Sequence, residues 1–400
     1  MNEIMEKLSK DVKQASATLT DKEARYLVST YYQMQDYRKR SSQQIKALQR
    51  ADESEPHMTL SFFSNNFELL EKQIKSVLET YVKSKDIGKW MLSIPGIGPV
   101  IAAGLMAHID IKRVSTYGEI LSFGGHNPNV QWLGTEKSRE MINLLSWQEL
   151  IRKELSTKKF TVPKILIVGE TPADRVPVCA LEHFYDHFLS KKNINSADLA
   201  KYFGCEIKLA EKLLKLKTSK IEVTSGFINR VAEKTGRKPQ HLENLAKDKE
   251  TGKITKDSLI KACAKRPWNS DLKRLLWLIG ESFVKVSTNE KDIYGWIYRQ
   301  RKEEETMKNE KGEYKLQAEQ KLAQTQIGKD TEAYKWYSQG KLPPAHIHAR
   351  SKRYATKIFI SHLFSVWYEL ERKQKPPKPY ALAILNHAHE IEIPNWPMVG

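Results

Sequence analysis

Cysteine is nearly absent. Only Cys179, Cys205 and Cys263 occur in 400 residues, and no two of them form a CxxC pair. This excludes a disulfide framework and a zinc ribbon and fits a reducing cytosol. The first residues, MNEIMEKLSKDVKQ, lack the apolar stretch of a secretory signal, so a cytoplasmic chain is expected. Long apolar runs are scarce too. The longest uncharged one, Trp90 to Ala107, is about as long as a membrane span, but Pro95, Gly96, Gly98 and Pro99 break it near the middle. A turn between two buried helices is expected there, and no membrane partner.

Catalytic signatures are equally thin. The segment TVPKILIVGE, residues 161–170, is the clearest strand pattern and reads as a lone strand or buried extended piece. The VGETPADR that continues it lacks the second glycine and Lys-Ser/Thr of a phosphate loop. AHIHARSKR and LNHAHE match neither HExxH nor an HNH-type unit, so no metal site and no cofactor are expected. A two-metal nuclease of the RNase H type needs strands carrying spaced carboxylates, and the acids here fall in helical or linker patterns. Ser270, Ser282 and Ser351 lie among basic residues, yet nothing in the sequence marks one as an activated nucleophile.

Acid is in deficit: 48 Asp+Glu face 66 Lys+Arg, a net charge of +18 spread along the chain. Distributed positive charge favours a polyanion, with nucleic acid the commonest, although a lysine-biased soluble surface gives the same sum. The periodicity predicts a mainly α fold. Residues 1–90 read as an N-terminal helical hairpin, a coiled-coil arm suited to packing or dimerisation, broken at ADESEPH. Residues 91–160 read as a core in which Pro95, Gly96 and Gly98 form a helix-hairpin-helix turn. Such a turn either binds backbone phosphate or serves as plain structure.

Residues 161–260 contain a repeat at an offset of 32. Ala200 and Gly204 match Ala232 and Gly236, and Glu211 and Leu213 match Glu243 and Leu245. An alanine four residues before a turn glycine suits two helix-turn-helix units, which either read a groove or pack as helical hairpins. Residues 261–400 read as a basic helical domain. Lys265, Arg266, Lys273 and Arg274 crowd its start, and a proline-started helix later aligns His346, Arg350, Arg353 and Lys357 into one stripe. The proline-rich end is expected to wrap the domain.

The stretch VQWLGTEKSREMI, residues 130–142, is by itself an ordinary helix start. The order in which features occur adds to it: a helical hairpin, then SIPGIGPVIAAGLMAHI, then LSFGGHNP, then LGTEKSREMI. That order resembles the Nop domain of box C/D ribonucleoprotein core proteins, whose Leu-Gly-Ala-Glu-Lys motif Leu133–Lys137 matches with Thr for Ala. SIPGIGPVIAAGLMAHID and YGEILSFGGHNP also resemble the C-terminal domain of bridge-RNA-guided insertion-sequence transposases. The chain is most similar to the Tas proteins of tandem-interspaced-guide-RNA systems of phages and prokaryotes, over residues 20–145 and 262–385.

The resemblance implies a small guide RNA and a target DNA as partners, a homodimer, and sequence readout by base pairing. It implies RNA contacts at Gly134, Thr135, Glu136, Lys137 and Arg139, with Lys112 and Arg113 nearby. The glycine turn, Lys265, Arg266, Lys273, Arg274 and the stripe would then contact nucleic-acid backbone, and Trp268, Tyr298, Trp336 and Tyr354 would either stack bases or serve as core aromatics. The carboxylate nuclease domain of the transposases and the RuvC-like or HNH domain of nuclease-bearing relatives have no counterpart here, which implies the standalone, non-enzymatic form. The transposases also use a serine near a Gly-x-x-Pro segment, where this chain has Pro128 followed by Asn129. Two alternatives stay open: a recombinase-type enzyme with a serine nucleophile, and a guide-independent architectural DNA-binding protein.

Overall fold

The computed structural model describes residues 8–52, 58–126, 132–157, 166–168, 176–178, 180–191, 193–324, 326–377 and 391–398. Among them the fold is mainly α. The chain begins with α1 (Lys10–Ala15), α2 (Asp21–Asp52), α3 (Met58–Lys83), α4 (Asp86–Leu92), α5 (Pro99–His108) and α6 (Tyr117–Phe123). It continues with α7 (Gly134–Thr157), β1 (Leu166–Val168), β2 (Val176–Val178), α8 (Ala180–Phe188), α9 (Ser196–Phe203), α10 (Ile207–Lys215), α11 (Ser225–Thr235), α12 (Pro239–Ala246) and α13 (Lys256–Ala264). It closes with α14 (Ser270–Lys285), α15 (Ile293–Glu310), α16 (Lys315–Gln324), α17 (Glu332–Ser338) and α18 (Pro344–Arg372). No helix among the described residues is long and apolar enough to cross a membrane.

Two compact units result: Met1–His126 with Trp268–Gly400, and Asn127–Pro267. This division cuts across the four segments read from the sequence, because residues 91–126 pack in the first unit and 132–157 in the second.

In the first unit α2 and α3 form the expected antiparallel hairpin. Ala24, Val28 and Tyr32 are buried with Leu78, Tyr81 and Val82. Further out, Arg38 Nε meets Glu71 Oε2 at 2.6 Å and Gln35 donates to the same carboxylate at 3.1 Å. Helix α5 has buried residues on all sides, from Val100 to Ala107, so its apolar composition reports full burial and not a membrane. Trp90 of α4 stacks on Phe359 of α18, with centroids 6.0 Å apart and planes 7° from parallel. The tail returns to this core: Trp90 Nε1 donates to the Pro394 carbonyl at 2.9 Å, and Trp396 Nε1 to Glu369 at 2.9 Å. The expected wrapping therefore holds for residues 391–398, while most of the proline-rich stretch before them lies outside the described residues.

In the second unit α7 is the spine. Its first half places Met141, Ile142 and Leu145 in a cluster with Phe227, Val231 and Leu259. Its second half places Trp147, Ile151 and Leu155 in another with Phe184, Phe188 and Phe203. The repeat is real and has one backbone device. Gly204 (φ 59°) and Gly236 (φ 66°) end α9 and α11 in the left-handed conformation that favours glycine. In the first copy the Ala200 carbonyl accepts the Gly204 and Cys205 amides; in the second the Ala232 carbonyl accepts those of Gly236 and Arg237. The strand expected at 161–170 is not alone. β1 pairs antiparallel with β2, Leu166 opposite Val178 and Val168 opposite Val176. The proline in Val-Pro-Val hid that partner strand.

Candidate nucleic-acid interface

The start of α7 is the best-defined polar surface of the second unit. Gly134 takes φ 70° with open space around its α-carbon, so the chain turns there into a helix that begins in solvent. Thr135, Glu136, Lys137 and Arg139 are exposed, while Ser138 between them is fully buried and its hydroxyl has no partner among the described residues. Trp132 stands just before the turn, 45% exposed, with its indole N–H donated to the Ala264 carbonyl at 2.8 Å. The Arg266 guanidinium lies 4.7 Å from the centroid of that indole. Buried Arg237 donates to the carbonyls of Ala262, Cys263 and Lys265 at 3.0, 2.9 and 2.6 Å, closing the end of α13 and fixing the loop that carries Lys265 and Arg266. Five of the residues expected near RNA thus share a surface with two that were expected on backbone.

Lys112 and Arg113 belong to the other unit, on the loop after α5. Both are highly exposed, and they pair with Glu371 at 3.3 Å and Asp110 at 3.2 Å. Exposed pairs of this kind are worth little and exchange readily for a phosphate. The Arg372 guanidinium anchors the loop by donating to the carbonyls of Ile111, Lys112 and Val114.

The glycine turn is divided in its roles. Gly96 has φ 89°, and an added Cβ would press on Val286 and Ser282 of the α14 end at 3.1 and 3.2 Å. The Ser282 hydroxyl donates to the Gly96 carbonyl at 2.5 Å. Here the close backbone approach is made to a helix of the protein. Gly98, the residue before α5, has open space around it, and Pro95 beside the turn is half-buried.

The stripe on α18 also divides. Arg350 holds Glu305 with Nε 2.8 Å from Oε2, and its guanidinium lies 4.8 Å from the Tyr314 ring centroid. Burial pushes the Glu305 carboxyl up, but the Tyr314 hydroxyl, Arg301 and Arg350 outweigh it and hold the group below the ordinary carboxylate value. His346 Nδ1 meets the Tyr337 hydroxyl at 3.1 Å. Arg353 and Lys357, by contrast, have no hydrogen-bond or ion-pair partner among the described residues. Burial lowers both, and their basic neighbours lower them further. Lys273 lies over Trp268, 3.9 Å from the ring centroid, and Arg274 lies over Tyr32 and reaches Asp36 at 3.8 Å.

Of the aromatics expected to stack bases, Tyr298 is buried against His348, with its hydroxyl 2.7 Å from Nδ1. Tyr354 lies under Arg301, and Trp268 and Trp336 are half-buried. The exposed indoles are Trp132, Trp277 at 59% and Trp296 at 51%. Each falls on a helix or turn otherwise patterned for burial, and only the breach of that pattern could have signalled it. Ser351 donates to the Ile347 carbonyl within its own helix, Ser282 is committed to Gly96, and Ser270 is exposed at the start of α14. Pro128 and Asn129 lie outside the described residues. Among those described, no group of His, Cys, Asp and Glu could hold a metal ion.

The model of the Transposase IS116/IS110/IS902 family matches residues 89–144. The match begins in α4, contains the glycine turn, α5 and α6, and ends within α7. It supports a transposase-related chain over that segment. No curated protein and no solved structure matches the chain.

Proposed function

We propose that the chain is a guide-RNA-binding protein that forms a ribonucleoprotein and is brought to a DNA target by RNA–DNA base pairing. The observation that carries this reading is the α7 start: a glycine turn, solvent-facing Thr135, Glu136, Lys137 and Arg139, and the Arg266 guanidinium over the Trp132 ring beside them. Cations and an accessible aromatic face suit a structured RNA, which is held through phosphates, 2′-hydroxyls and unstacked bases. The transposase-related segment supports a role on DNA.

The hairpin serves as the contact of a two-fold dimer. Leu48, Met58, Leu60, Phe62 and Phe63 near its far end are all exposed, which supports this role. The test is to purify the protein from cells carrying its native locus through a high-salt wash and to sequence the RNA that stays bound. A uniform short RNA, lost in Lys137→Glu/Arg139→Glu, upholds the proposal. Absence of discrete RNA overturns it.

A second reading, a recombinase-type enzyme acting on DNA, is favoured by the family match itself. It requires a covalent protein–DNA adduct that disappears on substitution of one serine. Ser270 is the most accessible of the three considered above.

A further inference from the structure

The two copies of the repeat share a backbone and differ in the surface they turn outward. The offset of 32 sets Glu206 against Lys238, so the residue that enters the second helix is an acid in one copy and a base in the other. Helix α10 exposes Ile207, Lys208, Glu211 and Lys212, an apolar residue among mixed charges. Helix α12 exposes Pro239, Gln240, His241 and Asn244, with no acid among them, while Leu242 and Ala246 are buried and Glu243 is half-buried. Gln240 donates to the Asn244 side chain at 3.3 Å, which puts both carboxamides on one outward face. The side chains of Lys238 and His241 have no hydrogen-bond or ion-pair partner among the described residues.

The turn that presents this face is locked. Helix α12 packs against α11 and α13. Arg237, in the turn before it, is 7% exposed and donates to the carbonyls of Ala262, Cys263 and Lys265, and the Ala264 carbonyl between them accepts the Trp132 indole. Four consecutive carbonyls at the end of α13 therefore tie the turn before α12 to the turn before α7. The first copy has Cys205 where the second has Arg237, and a thiol cannot make such a tie. A polar helix face on a fixed turn is what groove readout requires, because contacts to base edges tolerate little play. The major groove of B-form DNA, about 12 Å wide, admits an α-helix, whereas that of A-form RNA is too deep and narrow. Carboxamides in that groove pair bidentately with the N6 and N7 edge of adenine, and a lysine beside them meets a phosphate.

We propose that α12 lies in the major groove of duplex DNA, with Gln240, His241 and Asn244 toward base edges and Lys238 on a phosphate. The proposal rests on the reading of the chain as nucleic-acid-binding and goes beyond it, because this contact to duplex DNA is made by the protein and not by a guide. Since α13 joins the α12 turn to the α7 start within one unit, a duplex on α12 is held at a fixed place relative to the surface assigned to RNA.

The test uses full-length protein freed of nucleic acid by nuclease and high salt, with a pool of DNA duplexes randomised at the centre. Selection is expected to enrich a short motif, and 7-deazaadenine, which lacks only the major-groove acceptor, is expected to weaken binding when placed in it. Gln240→Ala/Asn244→Ala should lower the preference for selected over random duplex by about tenfold and erase the 7-deazaadenine effect. Lys238→Gln should weaken both duplexes alike and lower the slope of log K against log salt by about 1. Lys208→Gln/Lys212→Gln, on the first copy, should match wild type. All these positions are exposed, so the fold should stand in every variant. The α12 variants should keep the co-purifying RNA, and Lys137→Glu/Arg139→Glu should lose it while keeping the duplex preference. Absence of an enriched motif, or wild-type preference in Gln240→Ala/Asn244→Ala, overturns the proposal and leaves the α7 reading standing. Equal competition by duplex RNA of the selected sequence overturns groove entry. Loss of preference in the first-copy variant alone assigns the groove to α10 and overturns the choice of α12.

Discussion

Arg350 of α18 and Glu305 of α15 form a buried ion pair, 2.8 Å from Nε to Oε2, in which the carboxylate side chain is 1% exposed. The pair answers a question the helical periodicity of α18 leaves open, namely which of its cations face outward. An acid this deeply buried needs its partners, and Arg301 and Tyr314 supply the others, with the Tyr314 hydroxyl donating at 2.6 Å.

Arg350→Ala is therefore expected to destabilise the chain by about 3 kcal/mol, the low end for breaking a buried pair, because Arg301 remains. Lys357→Ala, which removes a charge with no partner among the described residues, should leave stability within about 0.5 kcal/mol. Urea denaturation of the two variants checks the contrast. Similar losses in both would mean that the stripe is structural throughout.

The repeat offers a second measurement. Ala substituted at Gly204 or Gly236 must adopt φ near 60°, which costs about 1 kcal/mol at each site. Thermal melting should show similar decrements for the two single variants and their sum for the double, since the sites cap different helix pairs. A negligible effect at one site would break the equivalence of the two copies.

Acid should destabilise the protein well above the carboxylate range. Burial takes His362 down to about 4, and the ring then stays neutral in the folded chain, where Nδ1 lies 2.9 Å from the Tyr294 hydroxyl. The unfolded imidazole titrates near 6.5, so between about 6.5 and 4 the unfolded chain holds the extra proton. Stability from this group is complete above about 6.5 and is lost as pH falls toward 4. His126 acts in the same sense. In His362→Gln the fall in urea midpoint between pH 7 and pH 5 should be shallower than in wild type. An unchanged slope would remove His362 from the account.

The arm, the helical hairpin at the glycine turn and the paired repeats were readable because each rests on local chemistry. Tyr26 to Leu48 carry a helical period, Pro99 starts a helix, and Gly204 and Gly236 sit four residues after an alanine whose carbonyl they bond. The stripe from His346 to Lys357 was readable as a face of a helix but not as a function. Whether Arg350 meets a buried acid depends on α15, some forty-five residues away. Gly96 misleads for the same reason, since a turn glycine opens backbone equally to a phosphate or to Ser282. Trp277 showed only as a break in the otherwise buried face of α14. The grouping of residues 127–267 apart from both flanks was likewise a long-range fact, written in which apolar faces find one another.

The first unit is assembled from both ends of the chain, with α6 and the start of α14 joined where Asn269 meets Phe123. During synthesis, α2, α3 and α5 leave the ribosome well before α14 and α18, which supply Leu272, Leu275, Phe283, Phe359 and Leu363 to the same core. The intervening unit has all its helices by Ala264 and can complete its packing first. The arm and the glycine turn thus pass through a period as incomplete, apolar surfaces awaiting their other half, an interval in which a chaperone or a second nascent copy can engage them.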